Sequence, residues 1–143
     1  AGKSTLIKAL VDVGARYLSD EFAVIDQAGL VHAFPRELAL REPEPHTVPL
    51  ERLGWVALTP PLPAPVSAIY HLSYKTDARW HVSPVTRGEA ILFLFENAIA
   101  AQGLGNSGLQ WLDVATRGAS AFRGVRGEAV GAAARILSNC RGC

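Results

Sequence analysis

The first five residues, Ala1-Gly2-Lys3-Ser4-Thr5, carry the pattern with the clearest chemical meaning in the chain. They match the end of a phosphate-binding loop (P-loop), G-x-x-x-x-G-K-[ST]. In that loop, backbone N–H groups and the lysine hold phosphates, and the Ser or Thr hydroxyl binds Mg²⁺. Gly2, Lys3 and Ser4 fill the last three positions, and the leading glycine would precede residue 1. The pattern predicts a nucleotide-phosphate site at Ala1–Thr5, with Ser4 as a magnesium ligand.

A second polar cluster, Ser19-Asp20-Glu21, follows a short apolar segment that is predicted to be a strand. If that strand returns parallel beside the phosphate loop, its carboxyl end emerges next to the bound phosphates. Asp20 could there hold Mg²⁺ or accept the proton of an attacking hydroxyl, and Glu21 could share the work. The simpler alternative is a polar turn between two strands.

Arginines and histidines further along the chain give weaker indications. Arg36 and Arg41 flank Glu37–Leu40, and either guanidinium could clamp a transferring phosphoryl group by bidentate hydrogen bonding. Solvated surface arginines are the alternative. The four histidines lack metal-ligand spacing and are predicted to be core or surface residues: His32, His46, His71 and His81.

Composition excludes several classes of partner. The 143 residues are 49% hydrophobic and 19% charged, typical of a soluble globular protein, and the net charge of +1 favours no nucleic-acid partner. The longest apolar run, Ala90–Phe95, is too short to cross a membrane. Both cysteines, Cys140 and Cys143, are predicted to lie on a frayed tail, and their absence elsewhere suits a cytoplasmic location.

The elements that must position the site are predicted from periodicity and turn residues. Apolar residues at helical spacing predict a helix over Ser4–Val13 that Gly14 ends. The segments predicted to be strands in the first half are Ala15–Leu18, Phe22–Ile25, Leu30–Ala33 and Glu37–Leu40. The proline-rich segment 43–65, within a longer stretch 35–65, is predicted to be an irregular loop that faces a substrate or a second copy of the chain. A disordered insertion is the alternative.

The second half is predicted to serve packing rather than chemistry. Val66–Tyr74 is predicted to pair with Arg79–Val82, and Ser83-Pro84 to start a helix that runs to about Ala101. The remaining predicted elements are a helix over Asn106–Thr116, a strand over Ala119–Val125 and a helix over Glu128–Leu137. The chain is therefore predicted to be one α/β domain, residues 1–143, whose first strand precedes residue 1. The interrupted loop and the lack of any Met predict a fragment.

The order of these motifs resembles the HPr kinase/phosphorylase-like family. The resemblance rests on Gly2-Lys3-Ser4-Thr5-Leu6, on Tyr17–Phe22, on His32–Arg36 and on Leu40-Arg41-Glu42. It implies a P-loop core like that of phosphoenolpyruvate carboxykinase, with a sheet flanked by helices. It also implies an enzyme that uses ATP and Mg²⁺ to phosphorylate a serine of a protein or peptide. The short apolar runs, for their part, predict no membrane partner.

The resemblance assigns roles to individual residues. Gly2, Lys3 and Ser4 match the nucleotide and Mg²⁺ loop, and Asp20 matches the family's base toward the serine hydroxyl. Glu21 stands where the sugar-regulation enzymes usually have a second Asp. Arg41, or else Arg36, is assigned to the phosphate-facing position.

Three alternatives to this function remain open at this point. One is a P-loop kinase that acts on a small molecule, and a second is a nucleotide-binding module without transfer. The third is a remnant that binds nothing. A homo-oligomer is compatible with the sequence.

Overall fold

A ten-residue helix, α1 (Lys3–Asp12), begins the part of the chain that the computed structural model describes: residues 2–41, 43–55, 61–99 and 101–141. At its end Gly14 has φ +105°, which glycine adopts without a Cβ penalty. The Ala15 N–H donates to the Leu10 carbonyl at 2.9 Å and the Gly14 N–H to the Val11 carbonyl at 3.0 Å. These two bonds form a Schellman motif, so the predicted helix and its glycine stop are confirmed.

The segment after α1 forms no strand, and the predicted strand over Ala15–Leu18 is wrong. A backbone hydrogen bond runs from the Phe34 N–H to the Leu18 carbonyl, at 3.0 Å. Tyr17, only 5% exposed, fixes the segment instead by packing into the core. Burial of the Tyr17 side chain, instead of the hydrogen bonds of a strand, therefore holds this segment in place.

A short hairpin follows, built from β1 (Val24–Ile25) and β2 (Leu30–His32). Its turn closes where the Gly29 N–H donates to the Asp26 carbonyl at 3.0 Å. The predicted hairpin is confirmed, although both strands are shorter than expected.

The proline-rich stretch contains more regular structure than the sequence predicts. Strand β3 (Leu38–Leu40) pairs antiparallel with β4 (His46–Val48), and a 3-10 helix follows at Leu50–Leu53. Strand β5 (Ala64–Pro65) then pairs with β2. Strand β3 confirms the strand predicted over Glu37–Leu40, with one residue fewer. The prediction of an irregular loop is wrong for β4, the 3-10 helix and β5, since apolar residues between the prolines reach the core. Residues 42 and 56–60 lie outside the described residues.

The largest sheet has the order β6-β8-β7, with β6 (Ala68–Tyr74), β7 (His81–Pro84) and β8 (Ser120–Arg126). β6 and β8 are parallel, whereas β7 and β8 are antiparallel. The predicted pairing of Arg79–Val82 with β6 is therefore wrong. At Gly124 an added Cβ would lie 2.0 Å from the His81 carbonyl oxygen, so the close approach of β7 requires glycine at this central position.

Three helices connect β7 to β8: α2 (Arg87–Asn97), α3 (Ala101–Leu104) and α4 (Asn106–Thr116). Thr86 caps α2 in a capping box with Glu89, so the predicted cap at Ser83 is wrong. The predicted bounds of α4 are confirmed. No helix among the described residues is long and apolar enough to cross a membrane.

The last helix, α5 (Ala129–Arg141), packs against α1 through the small residues Ala129 and Ala133, which meet Ala9. The other face of α1 contributes Ile7 and Val11 to the cluster around Tyr17 and Leu38. The predicted final helix is confirmed and is longer than expected. Cys140 is exposed within α5 rather than on a frayed tail, and Cys143 lies outside the described residues. The chain is thus a mixed α/β fold in which α1 is held from two sides.

Candidate functional site

The candidate site is built around the first turn of α1. Gly2 precedes the helix with φ +81°, and no side chain caps the helix start. Lys3 and Thr5 are exposed, Ser4 is half-buried, and Ala1 lies outside the described residues. The first turn carries no acidic residue, so its free N–H groups and helix dipole make this end attractive to an anion.

Asp20 lies directly beside this turn. The Ser4 hydroxyl donates a hydrogen bond to Asp20 Oδ2 at 2.9 Å, across sixteen positions of the chain. Both side chains are half-buried. The sequence predicts this neighbourhood through a parallel strand, but the structure achieves it through an irregular segment anchored by Tyr17.

The charge of Asp20 affects the pKa of the nearby Tyr17 hydroxyl. Its hydroxyl donates to the Arg36 carbonyl oxygen at 2.8 Å. Burial raises the pKa of Tyr17 above its ordinary value of 10.0, and the negative charge of Asp20 raises it further. The carboxylate of Asp20 therefore accepts a hydrogen bond from the Ser4 hydroxyl and also interacts electrostatically with the Tyr17 phenol.

Of the two candidate arginines, Arg36 is the one that lies beside the acidic pair, Asp20 and Glu21. Its Nη1 donates to Glu21 Oε2 at 3.0 Å, and both side chains are 61% exposed. Such an exposed pair contributes little to stability but leaves the guanidinium free to reorient. Arg41 is exposed just beyond β3, and within the described part of the chain it makes no ion pair.

Arg126, the last residue of β8, reaches the same site, and the sequence analysis missed it. Its side chain is only 4% exposed, and Nη2 donates to the Gly2 carbonyl oxygen at 2.6 Å. Nη1 donates to the Gly127 carbonyl at 2.9 Å, and the guanidinium lies 5.0 Å from the Tyr74 ring centroid. The available signal was an arginine at the end of a predicted strand, shortly before a predicted helix. The expectation that the second half serves packing alone does not hold for this residue.

An apolar cavity of about 640 Å³ begins at Glu21, one position after Asp20. Phe22 and Phe34 form one wall, with ring centroids 6.0 Å apart in an edge-to-face arrangement. Trp111 and Leu112 of α4 also line the cavity. The acidic pair therefore lies between the start of α1 and an apolar groove.

The donor set of Ser4 and Asp20 fits magnesium. Mg²⁺ takes oxygen ligands, usually one or two from the protein, with the remainder from water and substrate phosphates. Among the described residues no group of three or more His, Cys, Asp or Glu could hold a metal ion. The pair could thus supply the protein's share of a magnesium shell that a nucleotide completes.

Two of the histidines, His32 and His71, contact side chains outside α1. His32 Nε2 lies 2.6 Å from Asp26 Oδ2, and this hydrogen bond is the main cause of the lowered pKa of Asp26. His71 stacks on Phe93 at 3.8 Å between ring centroids. These contacts agree with the predicted structural roles.

The chain matches no protein-family model, no curated protein and no solved structure at a significant level.

Proposed function

We propose that this protein uses ATP and Mg²⁺ to transfer a phosphoryl group to a serine hydroxyl of a protein or peptide. The observation that carries the proposal is the 2.9 Å hydrogen bond between Ser4 and Asp20 at the start of α1. It joins a hydroxyl and a carboxylate, the two groups that a phosphotransferase needs beside a phosphate-binding helix start.

The residues of the first turn would bind the nucleotide. The N–H groups of α1 and the Lys3 ammonium would bind the β- and γ-phosphates, and the Ser4 hydroxyl would bind Mg²⁺ together with Asp20. When bound, the metal neutralises charge that develops on the phosphate oxygens. Positioning and charge stabilisation account for most of the rate in this class of reaction.

Asp20 would also act as the base. A bond forms between the acceptor serine oxygen and the γ-phosphorus, and the bond from that phosphorus to the bridging oxygen of ADP breaks. The serine proton passes to the Asp20 carboxylate, and ADP leaves. Arg36, already beside Glu21, is better placed than Arg41 to turn toward the transferring group.

The apolar cavity beside Glu21 favours a polypeptide acceptor over a small polar metabolite. A serine that reaches Asp20 would bring its neighbouring residues over the wall formed by Phe22 and Phe34. Apolar lining with a few polar groups at one end is typical of sites that hold an apolar side chain.

The test compares Lys3→Ala with Lys8→Ala, which removes a lysine of the same helix that pairs instead with Asp12. Calorimetry measures Mg·ATP binding, and radiolabelled ATP measures transfer to a library of serine-containing peptides. We expect binding and transfer to be lost in Lys3→Ala and kept in Lys8→Ala. Equal binding and equal labelling by Lys3→Ala and the unaltered protein would disprove the proposal. If label reaches metabolites and no peptide, the acceptor is a small molecule instead of a polypeptide.

A further inference from the structure

Arg126 joins the end of β8 to the residue that precedes α1. Its Nη2 donates to the Gly2 carbonyl oxygen at 2.6 Å, across 124 positions of the chain. The same oxygen accepts the first helical hydrogen bond, from the Leu6 N–H at 3.1 Å. Gly2 O is therefore held by two donors, one of them charged.

Fixing this oxygen also fixes a donor on the other side of the peptide. In a planar trans peptide the C=O and the following N–H point in opposite directions. Because Gly2 O points into α1, the Lys3 N–H points outward from the start of the helix. This is the direction from which an anion approaches a helix N-terminus.

The charge of Arg126 has no carboxylate partner among the described residues. The residue is only 4% exposed, so its positive charge is buried. Glu128, two residues later, accepts a hydrogen bond from the Tyr74 hydroxyl at 3.3 Å instead. Burying a cation beside carbonyl oxygens and an aromatic ring costs desolvation free energy. An anion bound nearby would offset that cost.

The Arg126 guanidinium also occupies the space beside the Gly2 Cα. A Cβ built on Gly2 would lie 2.5 Å from Arg126 Nη2, so any other residue there would have to displace the end of the Arg126 side chain. The positive φ of Gly2 independently favours glycine at this position.

We propose that Arg126 is a positioning residue of the phosphate site, which holds the Gly2–Lys3 peptide so that the Lys3 N–H faces the nucleotide phosphates. This inference rests on the proposed function. Arg126 acts through Gly2 and through its buried positive charge, without touching the phosphates itself. It therefore contributes to nucleotide affinity more than to the transfer step.

The experiment compares Arg126→Met and Arg126→Lys with two controls. Arg123→Met removes an exposed arginine of the same strand, and Ala133→Gly loosens the packing of α5 on α1 without touching Gly2. Calorimetry gives the dissociation constant for Mg·ATP, and transfer to a labelled peptide gives KM and kcat separately. Loss of one charged hydrogen bond predicts roughly tenfold weaker Mg·ATP binding by Arg126→Met, with KM raised more than kcat is lowered. Arg126→Lys, which keeps the charge but not the planar fork, should recover part of this loss.

The controls separate positioning from general stability. Ala133→Gly should lower Tm while Mg·ATP affinity stays within about twofold, and Arg123→Met should change neither. If Arg126→Met fails to fold, two other measurements test the inference. One is the Mg·ATP affinity of Arg126→Lys, and the other is the ¹⁵N NMR signals of the Arg126 side chain in the unaltered protein. Those signals should shift when Mg·ATP is added.

Three results would overturn the inference. One is an affinity of the Arg126 variants equal to that of the unaltered protein while Lys3→Ala loses binding, and this leaves the proposed function standing. Another is an equal loss of affinity in Ala133→Gly, which would reduce Arg126 to a packing role. The third is unchanged binding in Lys3→Ala, which removes the proposed function and this inference together.

Discussion

The hydroxyl of Ser4 and the carboxylate of Asp20 meet at 2.9 Å although no strand connects them. The chain leaves α1 through a glycine stop and passes Tyr17, whose buried ring pins the segment to the core. Three residues later Asp20 is beside the first turn. The relationship therefore depends on one helix end and one buried aromatic residue.

Replacing Asp20 with Asn should abolish most transfer while leaving the fold intact. The amide oxygen can still accept from the Ser4 hydroxyl, but it cannot take up the acceptor proton. We expect kcat to fall by about 10²–10⁴-fold. Asp12→Asn, which alters an exposed carboxylate that pairs with Lys8, is the matched control and should keep full activity. Normal transfer by Asp20→Asn would remove the proposed base.

Ser4→Ala should raise the Mg²⁺ concentration needed for half-maximal transfer. The variant removes the hydroxyl proposed as a metal ligand, so we expect a shift of roughly tenfold or more, whereas Ser4→Thr should recover most of the affinity. A magnesium titration of the transfer rate measures this. Ser107→Ala, at an exposed position of α4, should match the unaltered protein. An unchanged titration curve for Ser4→Ala would exclude the hydroxyl as a ligand.

Tyr17 should make the protein lose stability in alkaline solution. Its pKa is raised above 10.0 by burial and by Asp20, so the folded state favours the neutral phenol. That contribution is fully present below pH 10.0 and is lost as the pH rises through the higher pKa of the folded state. Urea unfolding from about pH 8 to about pH 11 measures the loss of free energy of unfolding.

The control for this pH dependence is a second tyrosine. Tyr17→Phe should lower stability at neutral pH by about 1 kcal/mol, because the hydrogen bond to the Arg36 carbonyl is lost, and should flatten the alkaline decline. Tyr74→Phe, at a 40% exposed position, should retain the decline. A decline that persists in Tyr17→Phe would assign it to another group.

Local sequence signals predicted the elements that depend on neighbouring residues. Helix α4 has its predicted bounds, and α1 ends where Gly14 requires it. The start of α2 was predicted at Ser83-Pro84, whereas the capping box forms at Thr86 and Glu89. Pairing of β7 with β8 takes Ser83 and Pro84 into the sheet, which leaves Thr86 as the cap.

Contacts between distant segments were not predictable from local patterns. β7 pairs with β8 instead of with β6, and Gly124 leaves room for its close approach. The contact of Arg126 with Gly2 spans 124 positions of the chain, so no local pattern indicates it. Asp20 was predicted correctly beside Ser4, but through a strand that does not form.

Gly2→Ala should destabilise the protein more than Gly54→Ala does. Both glycines have positive φ, +81° and +74°, so both substitutions incur backbone strain of about 1–2 kcal/mol. At Gly2 the added Cβ would meet Arg126 Nη2 at 2.5 Å, whereas no atom of the described residues lies within 4 Å at Gly54. The difference in free energy of unfolding between the two variants therefore measures the steric coupling to Arg126. Equal destabilisation would show that the guanidinium moves aside without cost.

Leu38→Ala should lower stability and also weaken Mg·ATP binding, because core packing positions the site. Leu38 is 0% exposed and packs with Tyr17, Val48 and Leu53 beneath α1. Truncation should cost about 2–5 kcal/mol of unfolding free energy, whereas Leu62→Ala, at an 85% exposed position, should cost almost nothing. Because Tyr17 anchors the segment that carries Asp20, we also expect weaker Mg·ATP binding by Leu38→Ala at temperatures where it remains folded. If the affinity stays unchanged while Tm falls, the position of Asp20 is set by the Ser4 hydrogen bond and not by the core.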